Sequence, residues 1–184
     1  MLRVLTGVAK GRKLKVPKGQ TIRPMTSRVK KSVFDTLGDI SGFRVLDIFA
    51  GSGGIGIESL SRGAAHVTAI EKDPKVYKLI QENYEHCGFT DKAELICADY
   101  KIALSRLRKK SETFEVIFVD PPYKLYADLE VKDFVMYVSE LLNTGGLIVI
   151  EHDHKIDYAP YGFSRTTKPF GGTHVSYFRK DEEL

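Results

Sequence analysis

After Gly42 the chain settles into one repeating order, a short apolar run followed by a segment of helical periodicity, and this order restricts the fold more than any other feature. Runs rich in branched residues fall at Arg44–Phe49, His66–Glu71, Ala93–Ala98, Phe114–Val119 and Gly146–Glu151. Helical segments lie between them at Gly54–Arg62, Pro74–Cys87, Tyr100–Arg108 and Asp128–Leu142, the second opening on a proline. Strands joined through helices run parallel, so the pattern predicts a sheet covered by helices on both faces. A last pair of runs, Phe163–Lys168 and Thr173–Arg179, is separated by Pro169-Phe170-Gly171-Gly172 alone. That connection is too short for a parallel crossover, so the pair is predicted to complete a seven-stranded α/β sheet as an antiparallel hairpin.

The segment before this body reads differently. Two short apolar runs flank Gly7 and Gly11, which predicts a hairpin over residues 2–16. Thr26 or Ser27 then caps a helix that carries Val29, Val33 and Leu37 on one face and stops at Gly38. Residues 1–44 hold eleven Lys and Arg against two Asp, a local charge of +9 in a chain whose formal total is +4. A basic extension on a mildly acidic body fits a surface for phosphate backbones, the alternative being a solvated basic face. At 184 residues the chain is long enough for one full core. A single domain is therefore expected, with 1–41 as extension and 42–184 as body, and a monomer is the default state. Two cysteines without CxxC spacing and no signal-peptide pattern fit a reducing cytoplasm. No apolar run approaches the ~18 residues that span a bilayer, so no membrane role is expected.

Gly51, Gly53 and Gly56 satisfy GxGxxG directly after the first strand and before the first helix of the body. In that context the motif predicts a nucleotide-like ligand lying against backbone at a helix N-terminus, unless the glycines serve only a tight turn. Asp47, at the end of the strand, conflicts with the anionic pyrophosphate of a dinucleotide. It suits a ligand that is cationic there, as S-adenosylmethionine is through its sulfonium and ammonium groups. Glu71, at the end of the second strand, is placed to accept from a ribose diol. Asp99, at the end of the third, is placed to accept from an adenine amino group, with Tyr100 packing on the ring. Each carboxylate has an alternative use as a helix N-cap. Phe49, Ser52 and Lys72 complete the expected cofactor set.

The fourth strand ends in Asp120-Pro121-Pro122-Tyr123, which should emerge at the same edge. Two prolines remove N–H donors and stiffen the loop, leaving carbonyl oxygens free to accept. A guest amino group would give its hydrogens to the Asp120 carboxylate and the Pro121 carbonyl, localising a lone pair otherwise delocalised into a nucleobase. Tyr123 would stack on the base, which must be unpaired or flipped out to arrive there.

These motifs are similar to those of class I S-adenosylmethionine-dependent methyltransferases, Rossmann-like enzymes in which DPPY follows the fourth strand and D-x-F-x-G-x-G the first. Over its whole length the chain resembles the bacterial RsmD family of 16S rRNA guanine-N2 methyltransferases. The match is carried by Arg3-Val4-Leu5-Thr6-Gly7, Gly11-Arg12-Lys13-Leu14, Arg23-Pro24-Met25-Thr26-Ser27-Arg28-Val29, the glycine and DPPY loops, and Gly171-Gly172-Thr173. The resemblance implies methylation of one guanine, position 966 in the usual rRNA numbering, in an assembling small ribosomal subunit. Met25 stands where the family has a polar residue, and Cys97-Ala98 replaces a glycine-containing form before Asp99. On this reading Arg12, Lys13, Arg23, Arg28, Lys30 and Lys31 hold RNA phosphates beside the pocket. Arg28 has a rival reading as a cofactor or ion-pair residue, while Thr26 is read as a helix cap and Phe34 as core, with closure over the cofactor as their alternative.

Other constellations are weaker. Glu151-His152-Asp153-His154 are consecutive after a strand, a spacing that rarely converges on a metal, and methyl transfer from a sulfonium requires none. Ser52 in Gly-Ser-Gly lacks the surroundings of a nucleophile elbow. The same DPPY loop would serve an adenine-N6 methyltransferase, and a non-catalytic RNA-binding module is the alternative outside enzymes.

Overall fold

The computed structural model describes residues 2–17, 25–121, 131–152 and 158–182. Helix α1 (Ser27–Leu37) precedes the sheet; then follow β1 (Arg44–Asp47), α2 (Gly54–Ser61), β2 (His66–Glu71), α3 (Pro74–His86), β3 (Ala93–Cys97), α4 (Tyr100–Lys109) and β4 (Phe114–Val119). Beyond them lie α5 (Val131–Val138), β5 (Leu142–His152), β6 (Phe163–Phe170) and β7 (Thr173–Lys180). The seven strands are ordered β3-β2-β1-β4-β5-β7-β6. β1 to β5 are mutually parallel, and β7 runs antiparallel between β5 and β6. The expected α/β sheet with an antiparallel C-terminal hairpin is the observed one. No helix among the described residues is long and apolar enough to cross a membrane.

The order matters because it reverses between β1 and β4: from β1 the chain first moves outward through β2 and β3, then returns to β4 on the other side. Helices after β1 and after β4 therefore leave on opposite faces, and a crevice opens at the carboxyl ends of the strands. Two apolar layers flank the sheet. One packs Val29, Val33 and Phe34 of α1 and Ile57 and Leu60 of α2 against Val45, Phe118 and Val149. The other packs Leu104 of α4 and Phe134 and Val135 of α5 against Leu46, Ile117 and Ile148. Alternate residues of each central strand serve opposite layers, which is why these strands read as unbroken apolar runs.

Four elements differ from their sequence expectations. Within residues 2–16 the hairpin reduces to one antiparallel bridge, Arg3 with Lys13. The amides of Val4, Gly11 and Leu14 still donate across it, while others turn to α2: those of Leu5 and Thr6 donate to the Glu58 carboxylate at 2.8 and 3.1 Å, and that of Ala9 to Ser61 Oγ at 2.9 Å. The helix expected to reach Leu142 ends at Val138 and is followed by a 3₁₀ turn over Ser139–Leu141, and its first residues, 128–130, lie outside the described ones. Leu142 already belongs to β5, whose register against β4 shifts between Phe114 and Val116, absorbing the Asn143–Gly146 stretch as an irregularity. The connection in the final hairpin shrinks to Gly171-Gly172. Pro169 remains within β6 because that strand is at the sheet edge, where a missing N–H breaks no ladder.

Candidate active site

The carboxyl ends of β1 to β5 open into one cavity of about 800 Å³. Asp47, Gly51, Glu71, Asp99, Asp120 and Glu151 all line it, each from the end of a strand or the turn just after. This is the crevice that the strand order creates, and it gathers the three acids of the sequence reading with the start of the DPPY motif.

Asp47 is the buried centre of the site, 2% exposed. Amides of Gly56 and Phe49 donate to its carboxylate, but Oδ2 is buried with no hydrogen-bond partner among the described residues. Burial first, then the charge of Glu71, push its pKa up to about 7 against those two amides. An unpartnered buried carboxylate beside a large cavity fits a ligand that brings positive charge. Because the folded-state value is raised, the ligand-free protein binds this proton more tightly than the unfolded chain does. Its stability should fall as pH rises from about 4 through about 7. Glu71, raised mainly by burial, acts in the same direction. The stabilisation conferred by S-adenosylmethionine should therefore be larger at pH 8 than at pH 6, and Asp47→Asn should flatten the difference. Thermal unfolding with and without the cofactor at the two pH values checks this.

Glu71 is held by its surroundings: the Gly51 amide donates to Oε2 at 3.1 Å and the Asp73 amide to Oε1 at 2.8 Å. Its carboxylate thus couples the glycine turn to the start of α3. Asp99 takes the helix-capping role that was its alternative, accepting from the Lys101 amide at 3.0 Å, and it also pairs with exposed Lys72 at 3.4 Å. Both still line the cavity. Tyr100 packs against Phe49 at 5.2 Å between ring centroids and against Phe134 at 5.8 Å, forming an aromatic wall rather than a free ring.

The glycines divide their labour. Gly51 and Ser52 line the cavity, but Gly53 and Gly56 do not. A Cβ on Gly56 would lie 2.0 Å from the Tyr84 hydroxyl and 2.8 Å from Val67, so this glycine lets α2 approach the sheet and α3. Gly53 sits at φ +78° as the residue before α2, where a side chain would be strained. Close packing against Tyr84 accounts for both glycines.

Asp120 and Pro121 line the cavity at the end of β4, while Pro122 and Tyr123 lie outside the described residues. Burial, then the charges of Glu151 and Asp47, raise the Asp120 carboxyl well above the ordinary carboxylate range. A carboxylate strained in this way gains from donors or cations entering the cavity.

Comparison with known proteins converges on one family. The family model described as Conserved hypothetical protein 95 matches residues 2–179. The chain belongs to that family, the RsmD family. "Putative rRNA methyltransferase YlbH" of Bacillus subtilis is 38% identical over 159 residues, covering 85% of each chain. "Ribosomal RNA small subunit methyltransferase D" of Escherichia coli is 39% identical over 124 residues, covering 67% of this chain but 61% of that protein. Among solved structures, "Putative methyltransferase yhhF from Escherichia coli" superposes with a TM-score of 0.83 at 28% identity, covering 99% of both chains. The fold of this RsmD-family chain is that of a class I methyltransferase.

In the RsmD-family chain the basic extension is not uniformly available. Arg12, Lys13, Arg28 and Lys31 are exposed, with Arg12 donating to the His86 carbonyl at 2.6 Å and Lys31 paired to Asp35 at 2.6 Å. Arg23 lies outside the described residues. Lys30 is corrected outright. It is 1% exposed, 3.2 Å from Glu58 Oε2 and 3.0 Å from the Arg3 carbonyl, so it cannot reach an RNA phosphate. Thr26 caps α1 by accepting from the Val29 amide, and Phe34 is core, with the Arg62 guanidinium over its ring at 4.6 Å. Among the described residues Arg28 makes neither an ion pair nor a hydrogen bond, and it does not line the cavity, so neither rival role gains a contact there.

Two residues that organise the site escaped the sequence reading. Glu58 is fully buried and joins Lys30, Arg62 and the amides of Leu5 and Thr6. Asn83, on α3, donates to the Ser52 carbonyl at 2.9 Å and the Lys15 carbonyl at 3.0 Å, and accepts from the Lys15 amide at 2.9 Å. It clamps the glycine turn to the basic extension. Asn83→Ala should cost about 2–3 kcal/mol, since one buried and two partly buried backbone groups lose a partner, as measured by urea denaturation. The signal for both was a polar residue on the apolar side of a helical pattern.

Proposed function

We propose that this protein transfers the methyl group of S-adenosylmethionine to the exocyclic N2 amino group of a guanine in small-subunit ribosomal RNA, within an assembling subunit. The observation that carries the reading is the placement of Asp120 and Pro121 in the same cavity as the glycine turn, Asp47 and Glu71. The relatives named above as rRNA methyltransferases support the substrate class.

The cavity fits the cofactor on its own evidence: Asp47 has a buried oxygen lacking a partner, and Gly51 and Ser52 bring backbone to the wall. Asp47 would face the cationic end, Glu71 the ribose and Asp99 the adenine, with Phe49 and Tyr100 forming an apolar wall. When bound, the cofactor supplies a sulfonium methyl whose carbon is attacked by nitrogen, the C–S bonding pair leaving with sulfur. Asp120 must be ionised to accept a hydrogen from the amino group, and its raised basicity then suits it to take the surplus proton of the alkylated nitrogen. Pro121 offers its carbonyl as the second acceptor, and Tyr123 in the DPPY sequence is the candidate for stacking on the base. Arg12, Lys13, Arg28 and Lys31 are the candidates for phosphate contact. Lys13→Glu should weaken RNA association and lower the salt slope by about one or two charges' worth; filter binding over a range of salt reads this.

The adenine-N6 reading shares Asp120 and is separated by the base that becomes labelled. Transfer of tritium from labelled cofactor to rRNA from cells lacking this protein tests the proposal. Label in guanine supports it, label in adenine supports the rival, and none into any RNA supports a non-catalytic binding module.

A further inference from the structure

We propose that Glu151 reads the target base, accepting the ring N1–H of guanine beside the amino group held by Asp120. This rests on the guanine-N2 reading and adds to it the residue that chooses guanine over a base with the same amino group but no N1–H. β4 and β5 are parallel neighbours with Val119 opposite Ile150, so the next residues, Asp120 and Glu151, leave adjacent strands side by side. Strands lie about 4.8 Å apart, roughly twice the spacing between neighbouring ring and amino nitrogens of a purine. Asp120 and Glu151 follow Phe118 and Val149 by two residues, which puts them on the sheet face that also carries Asp47. Both line the cavity, and the charge of Glu151 is felt at Asp120. Thr173, at the start of β7 and also in the cavity wall, shares its hydroxyl hydrogen between Glu151 Oε1 at 3.2 Å and the His152 carbonyl at 3.1 Å, tethering the carboxylate from the far side.

Two carboxylates held this close call for a substrate edge made of donors. Guanine has one: N1–H and the N2 amino group are adjacent, and both point the same way. Adenine sets a lone pair at N1 beside its amino group, and that lone pair would face the Glu151 carboxylate. Asp120 handles the reacting nitrogen in either case, so discrimination falls to Glu151. A carboxylate there accepts a donor but repels a lone pair, so a base lacking N1–H is disfavoured.

The test uses rRNA transcripts carrying guanine or 2-aminopurine at the methylated position. 2-Aminopurine keeps the 2-amino group but has a lone pair at N1. The wild-type protein should prefer guanine by about 100-fold in kcat/KM. Glu151→Gln, nearly isosteric and able to donate to that lone pair, should narrow the preference to within about fivefold, while cofactor affinity by calorimetry stays unchanged. Glu151→Ala should lose the preference by losing activity on guanine. A wild-type protein indifferent to the two bases, or a Glu151→Gln variant that keeps the full preference, would overturn the assignment while leaving the guanine-N2 reading in place. Label entering adenine and no guanine transcript would overturn both.

Discussion

Asp120→Ala should lower kcat for methyl transfer by about 10³-fold or more while S-adenosylmethionine affinity stays within about threefold. The two effects separate because Asp120 and Asp47 serve different ends of one cavity. Asp47 is the carboxylate with the unpartnered oxygen next to the glycine turn, and it keeps that position in the variant. Asp120 belongs to the β4 end, where on the proposed reading it would hold hydrogens of the amino group and then receive a proton. Removing it also removes a charge that burial, Glu151 and Asp47 all disfavour. The ligand-free variant should therefore be at least as stable as the wild type above pH 7, so lost activity would not reflect lost folding. Single-turnover transfer and calorimetric binding on the same preparation check both halves. Ordinary turnover would remove Asp120 from the chemistry, and lost cofactor binding would move it to a different task.

Lys30→Ala should destabilise the protein by about 3–5 kcal/mol, the cost of leaving a buried charge without its counterion. Glu58 is 0% exposed and Lys30 1%, so neither can turn to water when its partner is removed. Arg62 remains beside Glu58 at 2.9 Å and offsets part of the loss. The same carboxylate holds the Leu5 and Thr6 amides, so loosening it also frees the segment whose Leu2 reaches the cavity wall. Replacing both partners, Lys30→Met with Glu58→Gln, should cost less than the sum of the single changes, because the buried Lys30–Glu58 pair goes together and only Arg62, at 14% side-chain exposure, loses its carboxylate. Urea denaturation of the four proteins gives the coupling. A Lys30→Ala variant with an unchanged midpoint would return this lysine to the surface.

The body of the fold was legible because its strands and helices differ in period and are separated by short turns, and β2 and β4 begin and end where the sequence places them. Position along a strand also carried over: a carboxylate that ends an apolar run marks the sheet edge, which is how Asp47, Glu71 and Asp120 were found. The basic extension misled because charge along a sequence does not tell which cations meet a buried partner. Lys30 looks like Lys31 in sequence, yet one residue of helical rotation turns it from solvent toward Glu58. The glycine motif was read as a ligand-binding loop with a tight turn as the alternative, and its division of labour was hidden, since the neighbour that forbids a side chain at Gly56 is Tyr84, 28 residues away. Glu58 was invisible for the same reason, its partners lying on three separate segments.

The most direct measurement is the identity of the methylated nucleoside. Small-subunit RNA treated with this protein and S-adenosylmethionine, digested and resolved by mass spectrometry, should contain N2-methylguanosine that is absent from untreated RNA and from RNA treated with Asp120→Ala. Methyl groups on ribose, on a ring carbon or on adenine would contradict a hook that grips the hydrogens of a guanine amino group.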